Sequence, residues 1–357
     1  REMADFRSCG VFDFTTGRGF DSSLNSRYEG HYDVVLSIRY ETAGMSFVLI
    51  REEIDKLSGE RVERAFQLAQ GGVYVTDPAD IQRVQLGFNQ LGFTVGNIWN
   101  SMMGVGVDWQ NITDPRDDSK IAFATTITVI TDNGSTSRFE TLDFNRVSRE
   151  QLAAFIAYAQ NDSYAVKIDD VRSVTEATHR VRDLLGNIDV TLAMFDEVSG
   201  KGFRMHSTMD YEDRITLTLT QIYEREGMVF EATAIVESPN RKEVIQIDDQ
   251  AIKKFYTIAE TLAFLDYPYF SSDNILKSMG DQGINFGNIG FTDIRISDNI
   301  SGMGFAVSIS PKGEILPRQV MREGEWISIE AKPIDRFTEE EVSALFEKPV
   351  KEIEAGG

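Results

Sequence analysis

Apolar and polar residues alternate along several stretches of the chain. Ile215, Leu217 and Leu219 interleave with Thr216, Thr218 and Thr220, and Thr125 to Ile130 behaves similarly. A period of two sends alternate side chains to opposite faces, so these stretches predict strands with one buried and one wet face. Asn133-Gly134, between apolar runs at 121–131 and 138–144, is the best hairpin signal in the chain, because both turn residues can take positive φ. A helical period follows at matching places. Ser148 to Gln151 and Thr338 to Glu341 are capping boxes, and behind them lie Leu152, Phe155 and Ile156, or Val342, Leu345 and Phe346. Val62 and Phe66, then Ile252, Phe255 and Tyr256, offer comparable stripes. Val171, Val174, Ala177, Val181 and Leu184 keep helical spacing through a charged stretch that ends at Gly186.

The patterns recur. Asp13 to Phe20, Asp196 to Phe203 and Asp298 to Phe305 all read D-x-x-[ST]-G-x-G-F, with glycines at Gly17 and Gly19, Gly200 and Gly202, and Gly302 and Gly304. An offset of 183 residues relates the first two and also aligns Tyr40 to Phe47 with Tyr223 to Phe230. At an offset of 191, Gly92 to Ile98 aligns with Gly283 to Ile289 and Phe155 with Phe346. A weaker fourth copy is read at Asn111-Ile112-Thr113, matching Asn299-Ile300-Ser301, with Asp114 to Asp118 inserted after it. The expectation is an α+β protein built of about four units, each an antiparallel sheet of about four strands closed by a helix. Two duplicated halves, residues 1–165 and 188–357, are joined by a linking helix over 166–187.

Composition narrows the function classes. At 357 residues and 41% hydrophobic content the chain exceeds what one core of about 250–300 residues usually holds. A net charge of −21 repels nucleic-acid phosphates and anionic lipid wherever basic residues do not cluster, and no such cluster is visible. The longest apolar stretch, Ile121 to Ile130, falls well short of the roughly 20 residues of a membrane helix. The pattern is that of a soluble protein. Cys9 is the single cysteine, which removes an internal disulfide and a cysteine zinc site. The first residues lack the basic-then-apolar order of a signal peptide, and either Met3 is the native start or a longer precursor was cut.

Candidate chemistry is sparse. His31, His179 and His206 have no spacing to a carboxylate that suggests a metal site or a dyad. Asp114, Asp117 and Asp118 offer hard oxygens to calcium but lack the glycine and distal glutamate of an EF-hand loop. No nucleophile elbow, phosphate loop or zinc-protease helix is present, so no catalytic, cofactor-binding or metal-binding residue is nominated and no cofactor is expected. Asn111, Asn133, Asn161 and Asn299 begin glycosylation sequons that matter only in a secreted chain. The D-x-x-[ST]-G-x-G-F motif reads as a turn, with Asp and Ser/Thr folding back on amides, glycines allowing tight geometry, and Phe20, Phe203 and Phe305 opening the next strand in the core. Tyr267, Tyr269 and Phe270 form an aromatic cluster that would be an interface if exposed.

The reading that follows is a non-catalytic assembly protein, a subunit or decoration of a large complex, with a tailed-phage particle or its host cytoplasm as the setting and other protein subunits as partners. The strand-strand-strand-strand-helix order in tandem resembles the PUR and Whirly families, which implies a single-stranded nucleic-acid binder as the alternative. Arg18 and Lys201, inside the glycine turns, would then supply basic contacts. An enzyme working in a groove between the halves is a third class, with no residue to name.

Overall fold

The computed structural model of the protein describes residues 8–24, 32–40, 44–51, 57–71, 74–114, 117–161, 167–168, 170–185, 191–207, 215–237, 247–264 and 275–346. The fold is mixed α+β with antiparallel strands. Contacts divide the chain into two compact units, residues 1–166 with 177–194, and residues 167–176 with 195–357.

In the first unit the strands follow in chain order: β1 (Ser8–Asp13), β2 (Arg18–Leu24), β3 (Tyr32–Tyr40), β4 (Met45–Arg51), β5 (Val95–Asn100), β6 (Val105–Asp114), β7 (Asp117–Ile130) and β8 (Ser135–Thr141). Each pairs antiparallel with the next. Helices α1 (Gly59–Gln70) and α2 (Pro78–Gln90) separate β4 from β5, and α3 (Arg149–Asn161) follows β8. The next elements, α4 (Val171–Leu185) and β9 (Thr191–Asp196), contain the points where the units divide.

The second unit carries β10 (Lys201–Ser207), β11 (Ile215–Tyr223), β12 (Met228–Glu237), α5 (Asp249–Ala263), α6 (Ile275–Gly287), β13 (Asp293–Asp298), β14 (Met303–Ile309), β15 (Ile315–Arg322), β16 (Glu325–Ser328) and α7 (Glu339–Phe346). From β10 to β16 every strand again pairs antiparallel with its successor.

The register explains the alternation. One rung of the first sheet runs Ile38, Phe47, Ile98, Val107, Ile127 and Phe139, all buried. The helices close over this face: Phe88 of α2 stacks on Trp109 with ring centres 6.0 Å apart, and Phe155 of α3 meets Phe139 edge-on at 5.0 Å. In the second unit Phe230, Ile296, Phe305 and Val320 form one rung. Above it Phe255 of α5 packs within 5.7 Å of both Phe286 and Phe291. On the opposite face of β11 and β12, Thr218 and Thr233 share a 2.7 Å hydrogen bond. Burying a phenylalanine stabilises by about 1.5–3 kcal/mol, so these ring clusters carry much of each core.

Local chemistry sets the helix starts. Ser58 caps α1 by accepting from the Arg61 amide, and Asp77 caps α2 with Pro78 behind it. Ser148 and Gln151 exchange hydrogen bonds of 3.2 and 2.8 Å, as do Thr338 and Glu341 at 3.1 and 2.9 Å. Val174, Ala177 and Val181 of α4 are buried. Among the described residues, no helix is long and apolar enough to cross a membrane.

Four expectations change. Asn111-Ile112-Thr113 lies inside β6 and makes no turn. Gly92 sits at φ +84° just beyond α2, whereas Gly283 is inside α6 against Ile315, because close helix–strand packing there needs a residue without a β-carbon. The place of Gly92 is taken in the second unit by Gly290, at φ +96°. Each glycine precedes a phenylalanine whose amide donates back to the helix end, Phe93 to Phe88 at 2.9 Å and Phe291 to Phe286 at 3.2 Å. In the 131–134 turn only Gly134 takes positive φ, because four residues connect β7 to β8 and Asn133 spends its side chain accepting from the Ser135 amide. Phe20 is 42% exposed, since β2 pairs with β1 at the start of the sheet and its partner Val11 is exposed as well. Phe203 and Phe305, deeper in their sheet, are buried.

Candidate functional site

Four hairpin turns share one construction: 13–18, 100–105, 196–201 and 298–303. In the first, Asp13 accepts from the Thr15 amide and the Thr16 hydroxyl, both at 2.8 Å. These bonds, that to the Thr16 side chain foremost, hold the Asp13 carboxyl below the usual carboxylate range. Asp196 likewise accepts from the Val198 amide and the Ser199 hydroxyl at 3.0 and 2.7 Å, and Asp298 accepts from the Ile300 amide at 2.8 Å. In the second turn Asn100 takes the aspartate's place, accepting from Met102 and Met103 at 3.1 Å each.

Each turn ends in a glycine of positive φ: Gly17 at 68°, Gly104 at 64°, Gly200 at 68° and Gly302 at 68°. That conformation suits glycine, and so does the space. A β-carbon on Gly17, Gly104 or Gly200 would collide with the carbonyl oxygen of Arg39, Ile130 or Ile222. The glycine carbonyls in turn accept from the neighbouring hairpin, from Arg39 at 2.7 Å, Ile130 at 2.7 Å, Ile222 at 2.8 Å and Gly324 at 2.9 Å. The second glycine serves a cross-strand neighbour: Phe12 lies over Gly19 and Trp99 over Gly106. Gly202 follows Lys201 in β10, and its carbonyl accepts from the Tyr256 hydroxyl at 3.3 Å. Gly304 is opposite Ser297.

Each turn is therefore tied by a backbone bond to the next hairpin, and the 100–105 and 298–303 turns also to the preceding one, through Ser101 to Gly44 and Asn299 to Gly227. What turn geometry does not require is the side chain each holds outward. Phe14, Met102, Val198 and Ile300 are 78%, 74%, 83% and 72% exposed, four of the five most exposed large apolar side chains among the described residues. Sequence reasoning missed the 100–105 turn because asparagine replaces aspartate and Val107 replaces phenylalanine. It also passed over the apolar tip residues, whose signal was an apolar side chain between Asp and Gly in a turn that solvent should surround.

The cations of the glycine turns face the helices. Arg18 lies over the Phe66 ring at 4.9 Å and pairs with Glu63 at 3.0 Å, while Lys201 lies over Tyr256 at 4.7 Å. In the later turns Met303 and Val105 stand in those places. Tyr267, Tyr269, Phe270 and His31 lie outside the described residues. His179 and His206 are both exposed. Asp117 accepts from the Ser119 amide and hydroxyl and pairs with Lys120 at 2.6 Å, so its carboxylate is engaged at the start of β7, while Pro115 and Arg116 lie outside the described residues. Among the described residues, no three His, Cys, Asp or Glu side chains converge on a point that could hold a metal.

The first unit also contains an open cavity of about 350 Å³ between α2, β7 and the segment after β8. Its glutamines already have partners: Gln82 donates to the Phe144 carbonyl at 3.3 Å and Gln85 to Thr125 at 3.0 Å. Leu86 and Ile121 give its rim an apolar character. Asp114, Lys120 and Asp143 also line it.

No protein-family model, curated protein or solved structure matches the chain.

Proposed function

We propose that the protein is a non-catalytic assembly component that joins other protein subunits, and that it is built from two tandem duplicates, residues 1–165 and 188–357, joined by a helix over 166–187. The observation that carries the functional reading is the set of four braced turns, each presenting a large apolar side chain to solvent. Rigid loops with exposed apolar tips suit recognition of another surface, because little conformational freedom is lost on docking. The duplication is supported by the shared turn geometry and by the order of four strands, a closing helix and an opening helix along the chain. A virion, of a tailed phage in particular, is one setting that needs such a subunit.

The single-strand reading draws less support. Arg18 and Lys201 are taken up by helix aromatics, and the net charge of −21 opposes a phosphate backbone.

The deciding experiment is native mass spectrometry or light scattering of the protein isolated from its source, with co-purifying components identified. A large particle holding this chain in fixed ratio with other proteins is the expected result. A free monomer carrying a nucleic acid or a small molecule would overturn the assembly reading.

A further inference from the structure

In the second unit three inter-hairpin bonds place four turns in one row: Ile222 to Gly200 at 2.8 Å, Asn299 to Gly227 at 2.8 Å and Gly324 to Gly302 at 2.9 Å. Ile300 packs over Gly227, where a β-carbon would lie 2.5 Å from its Cγ1, so the bare glycine seats the neighbouring tip. The row exposes Val198 and Ile300, and its segments 196–200, 223–227, 298–302 and 323–324 carry six carboxylates against one cation, Arg225, while Lys201 at the end of the first turn is turned onto the Tyr256 ring. The corresponding segments of the first unit, 13–17, 40–44, 100–104 and 131–134, carry three acidic residues. Tyr223 is held protonated by burial and then by Glu260 and Glu226, and its ring packs 5.5 Å from exposed Phe264.

We propose that this row docks a basic amphipathic segment of a partner protein, whose apolar side chains cover Val198 and Ile300 and whose Lys or Arg residues pair with the surrounding carboxylates. The inference rests on the assembly reading and adds the partner's chemistry. Charge complementarity selects the occupant: an anionic lipid surface, a nucleic acid or a second copy of this acidic chain meets like charge at every carboxylate of the row. Apolar tips alone would take many surfaces, and carboxylates alone would take any cation. Together they favour a segment carrying both features, steered by charge over about a Debye length of 8–10 Å and retained by apolar burial.

The test is calorimetric titration of the full chain, at about 0.15 M salt, with two synthetic peptides. One carries Leu and Lys at helical amphipathic spacing, and the other replaces every Leu with Ser. Val198→Ser with Ile300→Ser, at positions too exposed to disturb the fold, should weaken the Leu/Lys peptide by about tenfold or more and leave the Ser/Lys peptide unchanged. Leu86→Ser, in the first unit, should change neither. A photo-crosslinking residue at position 198 should attach to the Leu/Lys peptide. Unchanged affinity in the double variant, or crosslinks only from other positions, overturns the proposal. So does loss of self-association or of anionic-vesicle binding in its place. A native particle that survives the double substitution sinks this docking surface and leaves the assembly reading standing, whereas a free native monomer sinks that reading first.

Discussion

Gly200→Ala tests whether the turns are braced by their neighbours or are merely tight. At φ +68° any residue with a β-carbon pays a left-handed penalty of about 1–2 kcal/mol. The new β-carbon also collides with the Ile222 carbonyl oxygen and comes within 3.0 Å of Gln221 Nε2. Relieving that overlap separates the turn from β11 and breaks the 2.8 Å bond from the Ile222 amide to the Gly200 carbonyl, a further loss of about 1 kcal/mol. The expected cost is about 2–3 kcal/mol. Gly313→Ala is the control within the same unit. Gly313 has φ +80° but no atom within 4 Å of its would-be β-carbon, so it should lose only the left-handed penalty of about 1–2 kcal/mol. Urea titration read by hydrogen exchange of β11 and β12 peptides reports the second unit by itself. Equal costs for the two variants would refute the bracing argument, because the turn would then have room to move.

Three further outcomes follow from the same geometry. Gly280→Ala, inside α6 with open space at its β-carbon, should stabilise the second unit by about 0.5–1 kcal/mol in the same titration. Phe255→Ala removes the ring shared by Phe286 and Phe291 and should cost about 3–5 kcal/mol, measured as a shift of the urea midpoint at constant slope. Tyr223 is pushed up to about 12, by burial first and then by Glu260 and Glu226. Because its folded value lies above the ordinary 10.0, its contribution to stability is complete below pH 10 and is lost as the pH rises through about 12. Tyr223→Phe should therefore flatten the alkaline loss of stability, and Glu226→Gln should bring the phenolate absorbance step to lower pH.

Sequence determined the parts of this protein that depend on neighbours along the chain. The alternation at 215–220 belongs to β11, the capping boxes at Ser148 and Thr338 open α3 and α7, and the glycines of the D-x-x-[ST]-G-x-G-F motif end turns of one geometry. Turn chemistry, capping and period act over a few residues, so they are visible in any short window. Helices α2 and α6 were harder to see, the first introduced only by Asp77-Pro78 and the second diluted by Gly280 and Gly283. Tertiary structure decided the rest. Gly283 differs from Gly92 because it faces Ile315, and Phe20 stays half-exposed while Phe203 is buried because β2 lies at the start of its sheet. The alignment of Val198, Tyr223 and Ile300 along one row comes from hydrogen bonds between hairpins distant in sequence. Exposure and proximity are properties of the packed chain, and a motif that fixes the backbone of a turn does not fix what stands beside it.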